Sequence, residues 1–205
     1  GQYRRIRGAF ENGVLTGKSL ESGGSLIRPE ATGYGAIFFL DEMLNHDSDT
    51  MKGKTIVTSG YGNVAWGICK KATQLGGKVV TISGSKGFVH DPAGINTDEK
   101  FDYLLKIRAG KKTMEDYAAD FGATFHEGQK PWGIKADIAM PAATQNEIDV
   151  ADAKKLIKAG VKYVVEASNM PTTNEAIEFL MTNGVHMAPG KAANAGGVAA
   201  SGLEM

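Results

Sequence analysis

The sequence contains a single cysteine, Cys69, among its 205 residues, which excludes an internal disulfide and a cysteine-based metal site. It has no apolar run near the roughly 20 residues that a membrane-spanning helix needs, and its first residues lack the apolar core of a signal peptide. It also lacks an excess of either charge. With 23 basic and 23 acidic residues, it offers no electrostatic reason to bind nucleic acid or an anionic membrane. These features predict a cytoplasmic protein without a metal site.

Glycine, in contrast, is abundant at 27 residues, and its most informative arrangement follows residues 55–59. That β-branched run predicts a short buried strand. Gly60, Gly62 and Ala65 come next with the spacing G-x-G-x-x-A, and a helical pattern begins at Val64. Gly60 permits a tight turn, Gly62 lets a pyrophosphate approach the backbone, and Ala65 allows close packing of helix on strand. This order predicts a dinucleotide-binding turn, with an ordinary glycine-rich connection as the alternative.

The pattern from residue 54 onward alternates between strands and helices. The apolar strands are nearly continuous, which is typical of strands covered on both faces. We therefore predict an α/β fold with a doubly wound, mostly parallel Rossmann-type sheet and helices on both faces. The later predicted strands are 78–83, 123–126, 137–140, 163–166 and 185–188, with a possible short strand at 88–90.

Helix boundaries are marked by capping signals. Thr113 with Asp116, and Thr172 with Glu175, both have the spacing of a capping box. A helix is expected to start beside Pro29, and residues 192–205 are expected to form one helix. Residues 1–28 are irregular in pattern. We expect 1–28 to be a connecting segment from an N-terminal catalytic domain outside this sequence, and 29–205 to be the dinucleotide-binding domain.

Polar clusters follow the predicted strands, where open α/β sheets bind their ligands. The tip of the second strand bears on the type of cofactor, because an acidic residue there would bond the ribose 2′-hydroxyl of NAD. No carboxylate precedes Asp91 at this tip. Ser83, Ser85 and Lys86 instead offer hydroxyls and a cation, which suit a phosphate. The tip therefore favours NADP, with NAD as the alternative.

Five long segments in order resemble the hexameric bacterial glutamate dehydrogenases. The segments are 28–35 (RPEATGYG), 60–65 (GYGNVA), 141–147 (PAATQNE), 167–173 (ASNMPTT) and 191–205 (KAANAGGVAASGLEM). The resemblance runs essentially end to end. It implies reversible oxidative deamination of L-glutamate to 2-oxoglutarate and ammonia, with hydride transfer to NAD or NADP. It also implies a homohexamer for the full-length family, whereas this chain alone is expected to be monomeric.

The same resemblance implies roles for individual residues. Val198 and Ser201 would contact the substrate, with Ser201 on its side-chain carboxylate. Thr32 would contact the nicotinamide carboxamide, and Asn63 would lie near the phosphates. Together with the turn and tip residues, the expected cofactor-binding set is Arg28, Thr32, Gly60, Gly62, Asn63, Val64, Ser83, Ser85, Lys86, Ala143, Thr144, Asn169 and Asn194.

The resemblance assigns no catalytic residue to this chain. The family's catalytic lysine and aspartate lie in an N-terminal domain that no segment here matches, and neither Lys18 nor Lys191 has a companion aspartate in an obvious place. We therefore expect cofactor binding without turnover. Two alternatives remain open. One is the cofactor domain of a sister dehydrogenase for branched-chain or aromatic amino acids, which should lack the match at Ser201. The other is a dinucleotide-binding regulatory module.

Overall fold

The computed structural model describes residues 2–9, 13 and 15–205 of the chain. The strands are β1 (Thr55–Thr58), β2 (Lys78–Val79), β3 (Thr81–Gly84), β4 (Gly87–His90), β5 (Thr124–Glu127), β6 (Ile138–Met140), β7 (Tyr163–Val165) and β8 (His186–Ala188). The helices are α1 (Gln2–Arg7), α2 (Ala31–His46), α3 (Asn63–Gln74), α4 (Asp98–Arg108), α5 (Met114–Phe121), α6 (Val150–Ala159), α7 (Asn174–Thr182), α8 (Gly190–Ala193) and α9 (Gly196–Glu204). None of the described helices is long and apolar enough to cross a membrane.

The main sheet has five strands in the order β2-β1-β6-β7-β8, and every neighbouring pair is parallel. Successive side chains of a strand point to opposite faces, so each strand contributes to two cores. Ile56 and Ile138 belong to a core that also contains Leu40 and Ile68 of the helices α2 and α3. Val57, Ala139 and Val164 belong to a second core with residues of α6 and α7. Helices therefore cover both faces, which confirms the predicted doubly wound fold.

The predicted strand 78–83 is divided, and the reason lies at Val80 and Thr81. The Val80 N–H still donates to Ile56 O at 2.9 Å, which continues the parallel pairing. At the next residue the Thr81 hydroxyl takes over, accepting from Thr58 N and donating to Thr58 O, both at 2.9 Å. Because these bonds satisfy the end of β1, the chain leaves the main sheet, and β3 pairs antiparallel with β4. The prediction of one continuous strand was wrong here.

A second, three-stranded antiparallel sheet is formed by β3, β4 and β5. Its connection to α4 and α5 is tied by Asp91, which is buried. Asp91 accepts hydrogen bonds from Lys100 Nζ at 2.6 Å and from the Tyr117 hydroxyl at 2.8 Å. Lys100 also donates to Gly94 O at 2.7 Å. The buried charge of Asp91 is thus paired and hydrogen-bonded, as burial requires.

Helix boundaries follow the capping predictions in part. The capping box of Thr113 and Asp116 is present in full, as predicted. The N-cap of α7 is Thr173 rather than Thr172, and its hydroxyl accepts from Ala176 N at 3.3 Å. The error is one residue: Thr172 has the glutamate of a capping box three positions later, but the adjacent Thr173, followed by Ala176 at that spacing, forms the cap.

Three further boundaries differ from the sequence expectation. Helix α2 begins at Ala31, after a run of turns, rather than beside Pro29. The expected helix 192–205 is interrupted between α8 and α9. Within 1–28, the described residues include α1 and a 3-10 turn at Leu20–Ser22.

Candidate functional site

The strand order of the main sheet reverses between β1 and β6. From β1 the chain crosses through α3 to β2 on one side, whereas β6, β7 and β8 follow one another on the other side. The loops after β1 and β6 therefore run in opposite directions and leave a crevice at the carboxyl edge of the sheet. In open α/β sheets such a switch point is where ligands bind. The residues 60–63 and 141–147 lie on its two sides.

Gly60 makes the turn that leads from β1 into this crevice. Its φ is +79°, and a Cβ atom there would lie 2.9 Å from Ala142 O, so a side chain would meet both strain and backbone. The Ser83 hydroxyl accepts from Gly60 N at 3.0 Å, and Ser83 N donates to Gly60 O at 3.2 Å. Ser83 therefore lines the crevice and also holds the turn in place.

Gly62 is the N-cap of α3, and its surroundings are open. A Cβ atom at Gly62 would have no heavy atom within 4 Å, although the residue faces the cavity. The first N–H groups of a helix have no intrahelical acceptor and carry the positive end of the helix dipole. The side chain of Asn63, the first residue of α3, accepts a hydrogen bond from Arg108. This geometry leaves room for an anion against the backbone of the turn.

The glycine-turn cavity, of about 720 Å³, occupies the crevice. Six of the predicted cofactor-binding residues line it: Gly60, Gly62, Ser83, Ser85, Ala143 and Thr144. Lys86 lies in a smaller neighbouring cavity of about 180 Å³, which shares Tyr61, Gly84 and Ser85 with the first. Lys112 lines the smaller cavity as well, so two cations lie beside Ser85, together with one acid, Glu115.

Another cavity, of about 430 Å³, adjoins the glycine-turn cavity through the shared residues Ala142 and Ala143. We call it the Thr32 cavity. Seven predicted residues line it: Arg28, Thr32, Val64, Ala143, Asn169, Asn194 and Val198. Asn194 Nδ2 donates to Asn169 Oδ1 at 2.7 Å, which joins the loop after β7 to the turn between α8 and α9. The two cavities together form a continuous groove along the sheet edge.

Two predicted residues line neither cavity, but each is hydrogen-bonded to an arginine that does. Ser201 lines neither cavity, but its hydroxyl accepts from Arg28 Nε at 2.9 Å, and Arg28 lines the Thr32 cavity. Asn63 is likewise bonded to Arg108, which lines the glycine-turn cavity. The structure thus brings all predicted site residues except Lys86 to one groove, directly or through one contact, and Lys86 lines the small cavity beside it.

Sequence reasoning missed several residues of the groove, of which Arg108 and Glu147 matter most chemically. Arg108 is the last residue of α4, some 45 positions from the turn that it contacts. Glu147 accepts from Ala143 N at 3.1 Å and lines the glycine-turn cavity. Burial raises the pKa of Glu147, although hydrogen bonds from Ser59, Ala143 and Thr144 oppose the shift. The only available signal for Glu147 was its place in the polar loop after β6.

The two lysines that we compared with the family's catalytic lysine do not line the groove. Lys18 Nζ donates to Glu204 O at 3.0 Å, at the end of α9. Lys191 is exposed on the short helix α8 and lines neither cavity of the groove. Among residues 2–9, 13 and 15–205, no three acidic, histidine or cysteine side chains are grouped as a metal site would require.

The sequence profile of the Glutamate/Leucine/Phenylalanine/Valine dehydrogenase family matches residues 23–205. The chain belongs to this family. The match includes every residue that we assigned to the groove.

Individual relatives are similar over the whole chain. The NAD-specific glutamate dehydrogenase of Clostridium symbiosum is 55% identical over 207 aligned positions, covering 100% of this chain and 46% of the relative. The NADP-specific glutamate dehydrogenase of Psychrobacter sp. (strain TAD1) is 53% identical, covering 94% of this chain and 43% of the relative. A solved structure of glutamate dehydrogenase aligns with a TM-score of 0.96 at 54% identity, over 100% of this chain and 46% of the solved one. The chain thus spans about half the length of the curated relatives that it matches.

Proposed function

We propose that this chain binds a nicotinamide dinucleotide in the groove, as the cofactor-binding part of a glutamate dehydrogenase. The proposal rests on two adjoining cavities at the switch point, which share the lining residues Ala142 and Ala143. A dinucleotide is long, with a pyrophosphate near its middle, so it needs such an extended groove beside an anion-binding turn. The names of the close relatives support the same class of cofactor.

The groove offers a distinct environment to each part of the cofactor. The pyrophosphate would lie against the backbone of Gly62 and the start of α3, where the N–H groups are free of intrahelical acceptors. The nicotinamide end would lie in the Thr32 cavity, where Thr32, Asn169 and Asn194 supply hydroxyl and amide groups. The hydrogen bond between the side-chain amides of the two asparagines fixes their orientation before the cofactor arrives. When bound, the nicotinamide ring supplies the hydride acceptor or donor.

We infer a preference for NADP from the adenosine end of the groove. Lys86 and Lys112 line the cavity beside Ser85, and Arg108 lines the adjoining glycine-turn cavity. A 2′-phosphate carries negative charge and accepts charge-assisted hydrogen bonds from such groups. Among the described residues, Glu115 is the carboxylate that lines the small cavity, and Lys112 also pairs with Asp120 at 3.3 Å, so Lys86 is the cation that we assign to the 2′-phosphate. The relatives include both NAD-specific and NADP-specific enzymes, so the preference rests on these side chains.

The proposed reaction is the reversible oxidative deamination of L-glutamate. Ser201 and Val198, on α9, would meet the substrate beside the nicotinamide end. Among the described residues, the Arg28 side chain donates one hydrogen bond, from Nε to Ser201 Oγ, so the rest of its guanidinium fork is available to face the Thr32 cavity. A fork of this kind binds a carboxylate well. The lysine and aspartate that complete the chemistry in the family would come from another domain.

We propose that residues 29–205 form the cofactor domain and that 1–28 connects it to that second domain. The described part of the connection is anchored on α9, since Glu204 accepts from Gly17 N at 2.6 Å and Ser25 N at 2.8 Å. Leu26 and Leu203 are 76% and 90% exposed, so apolar surface is available here for a covering domain. We expect this chain by itself to be monomeric and inactive in turnover, whereas the full-length protein would be a homohexamer. Sedimentation of the purified chain as a stable hexamer would contradict the monomer.

The deciding experiment is a paired calorimetric titration of this chain with NADPH and NADH at low salt. We expect both to bind, and NADPH to bind more tightly. Tighter binding of NADH would retain the dinucleotide site and overturn the role of Lys86. Failure of both cofactors to bind a chain that unfolds cooperatively on heating would reject the proposed function itself.

A further inference from the structure

A separate cavity, of about 350 Å³, lies where the loops after β6 and β7 meet the start of α7. It shares no lining residue with the groove. We call it the Glu166 cavity, after the residue at the end of β7 that lines it. Its lining residues are Asn146, Glu166, Met170, Thr172, Thr173, Asn174, Glu175 and Ile177.

Two residues that line this cavity each carry a deeply buried side-chain oxygen without a hydrogen-bond partner among the described residues. Glu166 is 5% exposed and Thr172 is 3% exposed. The atoms concerned are Glu166 Oε1 and Thr172 Oγ1. Buried polar atoms in folded proteins are almost always satisfied by protein, water or a bound ion, because leaving them unpaired is costly. The pair therefore indicates that something else occupies the cavity in solution.

The cavity is held in shape by contacts between its loops. Asn146 N donates to Met170 O at 2.9 Å, and Ile148 pairs with Thr172 in an isolated parallel bridge. The second carboxylate oxygen of Glu166 accepts from Gly190 N at 2.8 Å. The side chain of Glu166 is therefore fixed by one oxygen while the other faces no described partner. The site is built before a ligand enters it.

The charge of the lining residues selects the ligand. Among the described residues that line it are two carboxylates, Glu166 and Glu175, and no lysine, arginine or histidine. The positive end of the α7 dipole favours an anion. However, the Thr173 hydroxyl already caps one N–H of that end, and Glu175 lies in its first turn. A ligand here must supply positive charge or hydrogen-bond donors to Glu166, which excludes an anion.

We propose that the Glu166 cavity binds a monovalent cation, held by Glu166 Oε1 and Thr172 Oγ1. One buried carboxylate neutralises one positive charge, and Glu175 is exposed, where solvent screens it. Divalent ions usually draw on more buried carboxylates than this. Sodium, potassium and ammonium share the required chemistry. The proposal does not depend on dinucleotide binding in the groove.

The test compares thermal unfolding of the chain in sodium, potassium, ammonium and tetramethylammonium chloride at equal ionic strength. A cation that binds only the native state raises the unfolding midpoint in a saturable manner. We expect at least one small cation to raise the midpoint by several degrees over tetramethylammonium, whose methyl groups keep its charge away from the two oxygens and which has no N–H to donate. Thr172→Val, which keeps the side-chain shape but removes the hydroxyl, should lose most of that increase. Thr182→Val changes an exposed threonine at the last position of α7 and should retain it.

Two outcomes would overturn the proposal. One is a midpoint that is the same in all four salts, which would mean that water alone satisfies the two oxygens. The other is an equal cation effect in Thr172→Val and Thr182→Val, which would locate it elsewhere. If Thr172→Val does not unfold cooperatively, Glu166→Gln against the exposed Glu178→Gln makes the same comparison. Loss of the effect only in Glu166→Gln supports the site, and equal effects in both variants reject it.

Discussion

Replacing Gly62 by alanine separates the fold of the glycine turn from its proposed function. Gly62 has φ −78° and ψ −166°, an extended conformation that any residue adopts. A Cβ atom there meets no heavy atom within 4 Å, and the residue is exposed. The new methyl group would therefore project into the glycine-turn cavity without disturbing its surroundings.

The expected change in stability is small. Alanine lowers the conformational entropy of the unfolded chain, which stabilises the protein by about 0.4–1 kcal/mol where the native conformation permits. Against this, alanine is a poorer N-cap than glycine, by a cost of similar size, about 0.5–1 kcal/mol. The free energy of unfolding should thus change by less than about 1 kcal/mol, which is roughly 2–4 °C in melting temperature for a chain of this length.

The expected change in cofactor affinity is much larger. A methyl group at Gly62 prevents a phosphate from approaching the backbone N–H groups at the start of α3. The loss of one charge-assisted hydrogen bond costs about 1.5–3 kcal/mol, which corresponds to a roughly 10- to 150-fold larger dissociation constant. Both NADH and NADPH should be affected alike, because the pyrophosphate is common to them.

Calorimetric titration and thermal unfolding of the same preparation check both expectations. Gly60→Ala is the contrast, because φ +79° and the contact to Ala142 O predict a loss of stability, with about 1–2 kcal/mol from the left-handed backbone alone. Unchanged affinity in Gly62→Ala would refute the phosphate-binding role of the turn. A large loss of stability in the same variant would refute our account of the space around Gly62.

Four further predictions follow from individual side chains. Lys86→Asp should weaken NADPH binding by about 2–3 kcal/mol and NADH binding far less. Lys111→Asp changes an exposed lysine outside the groove and should alter the binding of neither cofactor much. Equal weakening of both cofactors by Lys86→Asp would argue against the 2′-phosphate site. Lys100→Ala leaves the buried carboxylate of Asp91 without its cation, and should lower the free energy of unfolding in urea by about 3–5 kcal/mol. Burial raises the pKa of the Cys69 thiol to about 12, so a thiol reagent should label it only after unfolding; rapid labelling of the native chain would contradict this. The raised pKa of Glu147 means that the native state binds its proton more tightly than the unfolded state. The free energy of unfolding, relative to that of Glu147→Gln, should therefore be highest below the ordinary glutamate pKa and fall as pH rises through the raised value. Parallel pH profiles of the two proteins would count against this prediction.

Local pattern was sufficient for most of the elements that form the site. The β-branched strand before Gly60, the spacing of the glycines and the helix after them are short-range features, so the turn could be predicted without knowledge of the fold. Alternation of strands and helices likewise predicted the doubly wound sheet, because apolar strands need helices on both faces. The polar strand ends converge on one groove for the same topological reason.

Other features depended on partners that are distant in sequence. Whether 78–83 continues as one strand is decided by the Thr81 hydroxyl, which bonds Thr58 and satisfies the end of β1. Arg108 reaches the turn because α4 packs beside α3, and no motif near residue 108 indicates that contact. The raised pKa of Glu147 comes from burial, which only packing produces.

The threonines at the start of α7 show which features the sequence determines and which depend on the tertiary structure. The sequence by itself determined that a helix begins here with a threonine cap, because threonine is a preferred N-cap residue and the signal is local. Only the tertiary structure decided that Thr173 caps the helix while the Thr172 hydroxyl is buried without a partner among the described residues. The physical reason is that a cap needs one nearby N–H, whereas burial and the lack of a partner depend on every chain segment that packs around the residue.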